Sequence, residues 1–290
     1  MDPHPYEKLT PDVVLDALAS LGLYGDGRLT ALSSYENRVY QIPLEEPVDG
    51  HAQVVAKFYR PNRWSDDEIA EEHAFSVELT AAEVPAVAPL ALQGRTLHHH
   101  GGFAFSVSPR RGGRRPELDD GDVLEWIGRF LARIHTVGAA RPFLLRPSLD
   151  LQTFGREPLD VLLTRQAIPL DVESTWRAAC EAALGAIAQA APCLVPGAQT
   201  DIAMLRLHGD CHPGNILWTP DHGPHFVDLD DARTGPAVQD FWMLLSGDRG
   251  QRQRQLGALV DGYEQFREFD RRELALIEPL RTLRLIHYSA

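Results

Sequence analysis

Three polar residues set the chemistry open to this chain. Asp210 and Asn215 sit in His208-Gly209-Asp210-Cys211-His212-Pro213-Gly214-Asn215-Ile216-Leu217, and Asp228 closes the short apolar pair Phe226-Val227. Asp210 follows the apolar Leu205 and Leu207, and a Pro-Gly step then lets the chain fold back. A strand, a tight loop and a second strand would present one base and two metal ligands to a phosphate. An Asp with an Asn is a hard-oxygen pair that suits Mg²⁺ and suits soft metals poorly. By themselves the three side chains would support metal-assisted hydrolysis nearly as well as phosphoryl transfer.

Phosphoryl transfer from ATP also needs a group that holds the phosphates. Lys57, within Val54-Val55-Ala56-Lys57-Phe58, lies on an expected strand as in the V-A-I-K pattern and offers a compact point charge. A carboxylate on the following helix should hold that lysine. Glu72 is preferred to Glu71 because it shares a face with Phe75 and Leu79. The separation of Asp210 and Asn215 matches the H-R-D-L-x-x-x-N loop, with Gly209 in place of Arg.

These residues need elements to position them. Val14, Leu15, Leu18 and Leu21 mark a helix over 11–21. Strands are expected over 29–32, 38–42 and 53–59, with the turn-forming 45–50 between the last two. Ser65 is the expected cap of a helix over 66–82. Strands over 88–92 and 103–107 should flank a solvated turn containing His98 to Gly102. Five strands and one helix make a small α+β domain. The basic run Arg110-Arg111-Gly112-Gly113-Arg114-Arg115-Pro116 reads as a linker. Beyond it helical spacing dominates, around 123–134, 174–190, 236–246, 252–266 and 271–288. The last helix is still periodic at Ala290, which suggests a truncated form.

Composition narrows the setting. The 290 residues are 44% hydrophobic, and a formal net charge of −13 argues against a general nucleic-acid binder. No apolar run approaches the roughly 20 residues needed to span a bilayer, and Met1-Asp2-Pro3-His4-Pro5 lacks a basic region followed by an apolar one. A cytoplasmic monomer without membrane partners is expected. Cys180, Cys193 and Cys211 are too few and scattered for a disulfide framework. His208, Cys211 and His212 match no standard zinc spacing, and His208 is expected to pack beneath the loop. Cys211 should be unreactive beside a carboxylate.

The chain resembles kinases of the aminoglycoside and choline phosphotransferase type, and within them a bacterial serine/threonine protein kinase of the stress response. The matching segments are Ser33-Ser34-Tyr35-Glu36-Asn37-Arg38-Val39-Tyr40, the stretch from Lys57 to Trp64, Leu207 to Leu217, and Phe226 to Leu244. The resemblance implies an α+β, two-lobed protein-kinase-like fold. Residues 1–109 would form an antiparallel-sheet lobe covering the nucleotide and 110–290 a mainly helical catalytic lobe, with ATP and Mg²⁺ between them. It further implies Asp210 as proton acceptor, Asn215 and Asp228 as Mg²⁺ ligands, and Asp228 as catalytic in its own right. Ser34 would lie over the ATP phosphates, Lys57 and Glu72 would pair, the adenine would meet the strand near Ser108, and Asp240 would brace the catalytic loop.

The pattern departs from that of protein kinases in places. No G-x-G-x-x-G covers the phosphates, Asp228-Leu229-Asp230 replaces Asp-Phe-Gly, and no Ala-Pro-Glu follows. Asp230 and Asp231 either bind a second metal or cap the next loop. The four arginines of the linker are either solvated or contact an acidic or phosphorylated substrate. The favoured acceptor is a Ser or Thr of a protein. A small alcohol such as an aminoglycoside, choline or an amino acid is the first alternative, and a nucleotide-binding regulatory protein without turnover is the second.

Overall fold

The computed structural model describes residues 4–290, so Met1, Asp2 and Pro3, on which the reading of the N-terminus partly rests, lie outside the described residues. The chain runs through α1 (Pro11–Ala19), β1 (Thr30–Leu32), β2 (Arg38–Val48), β3 (His51–Phe58), α2 (Asp66–Ala81), β4 (His98–His100) and β5 (Phe103–Pro109). It continues through α3 (Gly121–Ala139), α4 (Glu157–Thr164), α5 (Leu170–Ala190), β6 (Leu205–Leu207), β7 (Ile216–Thr219), β8 (Gly223–Phe226) and β9 (Arg233–Gly235). The helices α6 (Gln239–Trp242), α7 (Arg249–Tyr263) and α8 (Ile277–Tyr288) complete it. Two compact units result, one of residues up to Arg114 together with Leu217–Asp230, the other of Arg115–Ile216 with Asp231–Ala290.

In the first unit the five strands form an antiparallel sheet in the order β1-β2-β3-β5-β4. Alternation along β3 sends Val54, Ala56 and Phe58 into a cluster with Val14, Ala17 and Leu18 of α1. The larger of these buried side chains, Val14, Leu18, Val54 and Phe58, contribute about 1.5–3 kcal/mol each. The opposite face of β3 carries Lys57, which therefore sits on a central strand, opposite Val39 on one side and Ser106 on the other. Helix α2 starts in a capping box, with Ser65 Oγ accepting the Glu68 N–H at 3.3 Å and Glu68 Oε2 accepting the Ser65 N–H at 2.8 Å. A cap of this kind is worth about 1 kcal/mol. It fixes the helix phase so that Ile69, Glu72, Phe75, Ser76 and Leu79 are buried.

Two hairpins correct the sequence reading. The turn expected over 45–50 shrinks to Asp49-Gly50, both at positive φ, because β2 continues to Val48 opposite His51. The strand expected over 88–92 does not form, since Pro89 offers no N–H to a ladder. Irregular contacts remain, from the Leu90 N–H to the Val107 carbonyl at 2.7 Å and between the Leu92 and Arg95 backbones at 2.8 and 3.0 Å. The fifth strand is instead β4, the His98–His100 run expected as a solvated turn. Gly101 and Gly102, at φ 57° and 86°, make the two-residue turn into β5. His98 is buried beside Phe105, with ring centroids 5.6 Å apart.

The second unit is mainly helical. Val123, Leu124, Ile127, Leu131 and Ile134 form the buried face of α3, which Asp120 caps through the N–H groups of Asp122 and Val123. Gly128 of α3 packs against the backbone of α7 at Leu259, and Gly262 of α7 packs against that of Glu125. The helix expected over 236–246 contracts to α6. That over 271–288 divides into a 3₁₀ turn, Arg271–Leu276, and α8, whose Pro279 falls in the first turn where its missing N–H is tolerated. A π-helical turn, Gln152–Arg156, and α4 lie where the sequence reading has no element. No helix among the described residues is long and apolar enough to cross a membrane.

Candidate active site

In the first unit, Lys57 reaches across from the sheet to the segment after β8. Its Nζ lies 2.7 Å from Asp228 Oδ1 and 3.8 Å from Asp230 Oδ1. Burial alone would lower the Lys57 pKa, but the carboxylates of Asp228 and Asp230 overcome it and hold the ammonium well above its ordinary value. Asp228 has φ 61°, in the left-handed region. Asp tolerates that conformation better than most residues, and the strain persists only where its surroundings fix it. Asp230 is buried and accepts from Arg63 Nη1 at 2.7 Å and Asn37 Nδ2 at 3.2 Å. It therefore fastens the segment to the sheet.

The loop joining β1 to β2 is tied down from within. Ser34 Oγ accepts the Asn37 N–H at 3.2 Å, and Asn37 Oδ1 accepts the Arg60 N–H at 3.1 Å. Glu72 is 5% exposed and points towards the sheet, so it is the inward-facing member of the Glu71-Glu72 pair. Yet Glu72 Oε1 accepts from Ser76 Oγ at 2.9 Å, and the ion-pair partners of Lys57 are Asp228 and Asp230, not Glu72. Behind them Tyr59 joins His73 Nε2 at 2.7 Å and Ser106 Oγ at 3.0 Å. Ser108 sits half-buried on β5 opposite Val55.

In the second unit, β6 and β9 pair antiparallel and set the loop that follows β6. Asp240, fully buried on α6, accepts the His208 N–H on Oδ2 and the Gly209 N–H on Oδ1, each at 2.9 Å. His135 Nε2 meets Asp240 Oδ2 at 3.0 Å, and Gln239 Nε2 donates to the Gly209 carbonyl at 3.0 Å. Gly209, at φ 82°, passes so close to the Asp231 carbonyl that a Cβ would overlap it. This is the physical reason for glycine where the protein-kinase loop has Arg. The turn then aims Asn215 Nδ2 back at Asp210, 3.0 Å from its carbonyl and 3.3 Å from its Oδ2.

Arg284, on α8, donates to Asp210 Oδ1 and to the Tyr288 hydroxyl. Burial pushes the Asp210 carboxyl up; Arg284 pulls it back, Asp231 adds to the rise, and the net shift is upward. Cys211 is fully buried, and burial, more than its acidic neighbours, pushes its thiol well up. The sequence reading lacks Arg284, His135, Arg63 and Gln239, since nothing local distinguishes them from other polar residues on a helix or loop.

The second unit thus holds a fastened carboxylate, Asp210, and the first a lysine shared by two acids. Asp228 and Asp230 supply hard oxygens that already converge on one cation, the Lys57 ammonium, and this donor chemistry fits Mg²⁺.

The sequence matches the family described as phosphotransferase enzymes over residues 28–277. It is 46% identical over 285 residues to stress response kinase A of Salmonella choleraesuis and to serine/threonine protein kinase RdoA of Salmonella typhimurium, covering 98% of this chain and 83% of each relative. In fold it is similar to an amicoumacin kinase in complex with AMP-PNP, Ca²⁺ and Ami, with a TM-score of 0.75 at 19% identity over 96% of this chain and 84% of that one. A microcompartment-associated aminopropanol kinase follows, with a TM-score of 0.68 at 21% identity over 96% and 89%.

Proposed function

Because the chain belongs to the phosphotransferase enzyme family, we propose that it transfers the γ-phosphoryl group of ATP, with Mg²⁺, to a Ser or Thr hydroxyl of a protein. The observation that carries this reading is the Asp210 carboxylate, held by Asn215 on a loop whose N–H groups hang on buried Asp240. A base fixed this firmly can orient a hydroxyl and accept its proton. Asp228 and Asn215 are the residues that the family resemblance implies would hold magnesium. When bound, Mg²⁺ neutralises charge on the phosphate oxygens.

Lys57 holds the phosphates, with Glu72 as the buried acid whose charge also bears on it. Ser34 and the backbone of its loop cover the phosphates, and the β5 strand near Ser108 meets the adenine. Residues 1–109 serve as the nucleotide-covering lobe and 110–290 as the catalytic lobe of a cytoplasmic enzyme. Radiolabel from ATP should pass to a protein acceptor or to the chain itself. Transfer confined to a panel of small alcohols would overturn the protein acceptor, and no transfer to any of them would overturn the activity.

A further inference from the structure

We infer that Arg284 selects the acceptor, and that the hydroxyl reaching Asp210 is carried beside a carboxylate. The inference rests on the phosphotransfer reading and names its substrate class. Asp210 and Arg284 are each 15% exposed, so their pairing is only partly screened by water. Both hydrogen bonds of Arg284 leave from Nη2, and its Nε and Nη1 donate to no group of the chain among the described residues. Two charge-bearing donors therefore remain beside the base. The ring of Tyr288, 4.4 Å from the guanidinium carbon, holds the side chain in place.

The other charges around this point are matched. Arg233 Nη2 meets Asp231 at 2.9 Å, and Arg281 meets Glu278 at 2.8 Å, one turn earlier on α8. His212 lies 3.6 Å from Asp210 Oδ2 and adds a second nitrogen donor. The base is thus flanked by donors. A cationic acceptor, whether an aminoglycoside, choline or a lysine-rich peptide, would meet the guanidinium as a like charge.

The reaction sharpens this preference. As the acceptor oxygen bonds to the γ-phosphorus, its proton passes to Asp210, and the bond from that phosphorus to the β-phosphate bridging oxygen breaks, its electron pair leaving with ADP. Asp210 is then neutral, and the guanidinium, only 15% exposed, has lost its counter-charge. A carboxylate on the acceptor, taken by Nε and Nη1, restores the pairing when it is most needed, which is selection in the transition state.

The test uses the full chain with ATP and Mg²⁺ and pairs of peptides with one central Ser, flanked in one by Asp and Glu and in the other by Lys and Arg. The wild-type chain should favour the acidic peptide by about tenfold in kcat/KM, a ratio that shrinks as salt rises. Arg284→Gln should bring the ratio towards one, Arg284→Glu should reverse it, and Arg284→Lys should keep its direction. Each ratio is read within one protein, so a general loss of folding or rate cancels. A wild-type ratio near one, or a ratio unchanged in the Gln and Glu variants, overturns the inference. Failure of the wild-type chain to phosphorylate either peptide, itself or any other acceptor overturns the phosphotransfer reading instead.

Discussion

At the scale of the residue, Asp210 carries the most specific expectations. Asp210→Asn keeps the size of the side chain and removes its ability to take a proton, so transfer should fall by about 10²–10⁴-fold while ATP binding, measured by calorimetry, stays close to wild type. Burial holds the Asp210 carboxyl above its ordinary value, so the ionised carboxylate proposed as the base is lost as pH falls through that raised value. The guanidinium of Arg284 opposes the rise. Arg284→Gln removes that opposition, and the acidic limb of kcat/KM against pH should move to higher pH. A limb that stays put or moves down would dissociate Arg284 from the base. The return of Asn215 to Asp210 was legible in residue spacing, because the two flank one short Pro-Gly turn. The place of Lys57 on a strand was legible too, from the apolar run Val54-Val55-Ala56-Lys57-Phe58. What spacing hides is a partner brought in from far along the chain. Arg284 and His135 reach the loop only through tertiary packing, and Lys57 pairs with Asp228 and Asp230, not with the helix acid Glu72 that local periodicity suggests.

The elements that hold these residues were legible where a hydrophobic period or a cap marks them. Helix α2 begins at the Ser65 cap and α3 follows its apolar stripe. The reading failed over 88–92, where apolar residues suggest a strand but Pro89 denies it a ladder. It failed again at His98–His100, where three histidines look solvated although the Gly101-Gly102 turn commits them to a hairpin. Glycines inside helices are similarly ambiguous in sequence, and α7 contains both kinds. A Cβ at Gly262 would overlap the Glu125 carbonyl of α3, and one at Gly128 the Leu259 carbonyl of α7, whereas one at Gly257 would meet nothing within 4 Å. Gly128→Ala should therefore push α3 and α7 apart and cost about 1–3 kcal/mol in urea denaturation. Gly257→Ala should stabilise the chain by about 0.5–1 kcal/mol, since only the helix propensity changes. Equal effects of the two substitutions would mean that the crossing of α3 and α7 tolerates an added methyl.

Across the whole molecule, acidity itself becomes a stability variable. With 41 acidic against 28 basic residues, charge repulsion within the chain grows as carboxyls ionise and is relieved by salt. One buried carboxyl adds a sharper dependence. Glu273 is 3% exposed, its Oε2 accepts the Val238 N–H at 2.8 Å, and burial pushes its pKa from 4.5 up to about 7. The folded chain therefore holds this proton more tightly than the unfolded chain does. The sign follows: the contribution is fully present below about 4.5, is lost as pH rises through about 7, and is flat beyond. Its size is at most on the order of 3 kcal/mol. Glu264 and Asp270 act oppositely, since hydrogen bonds from Arg271 and Arg272 hold their carboxyls below the ordinary range, but these groups matter only at more acidic pH. Tm should accordingly fall between about pH 5 and pH 8. Glu273→Gln, which keeps an uncharged acceptor for the Val238 N–H, should flatten that fall. Whatever slope remains in the variant should come from net charge and should disappear in high salt. A variant whose Tm drops as steeply as the wild type in both low and high salt would show that Glu273 is not the group that titrates.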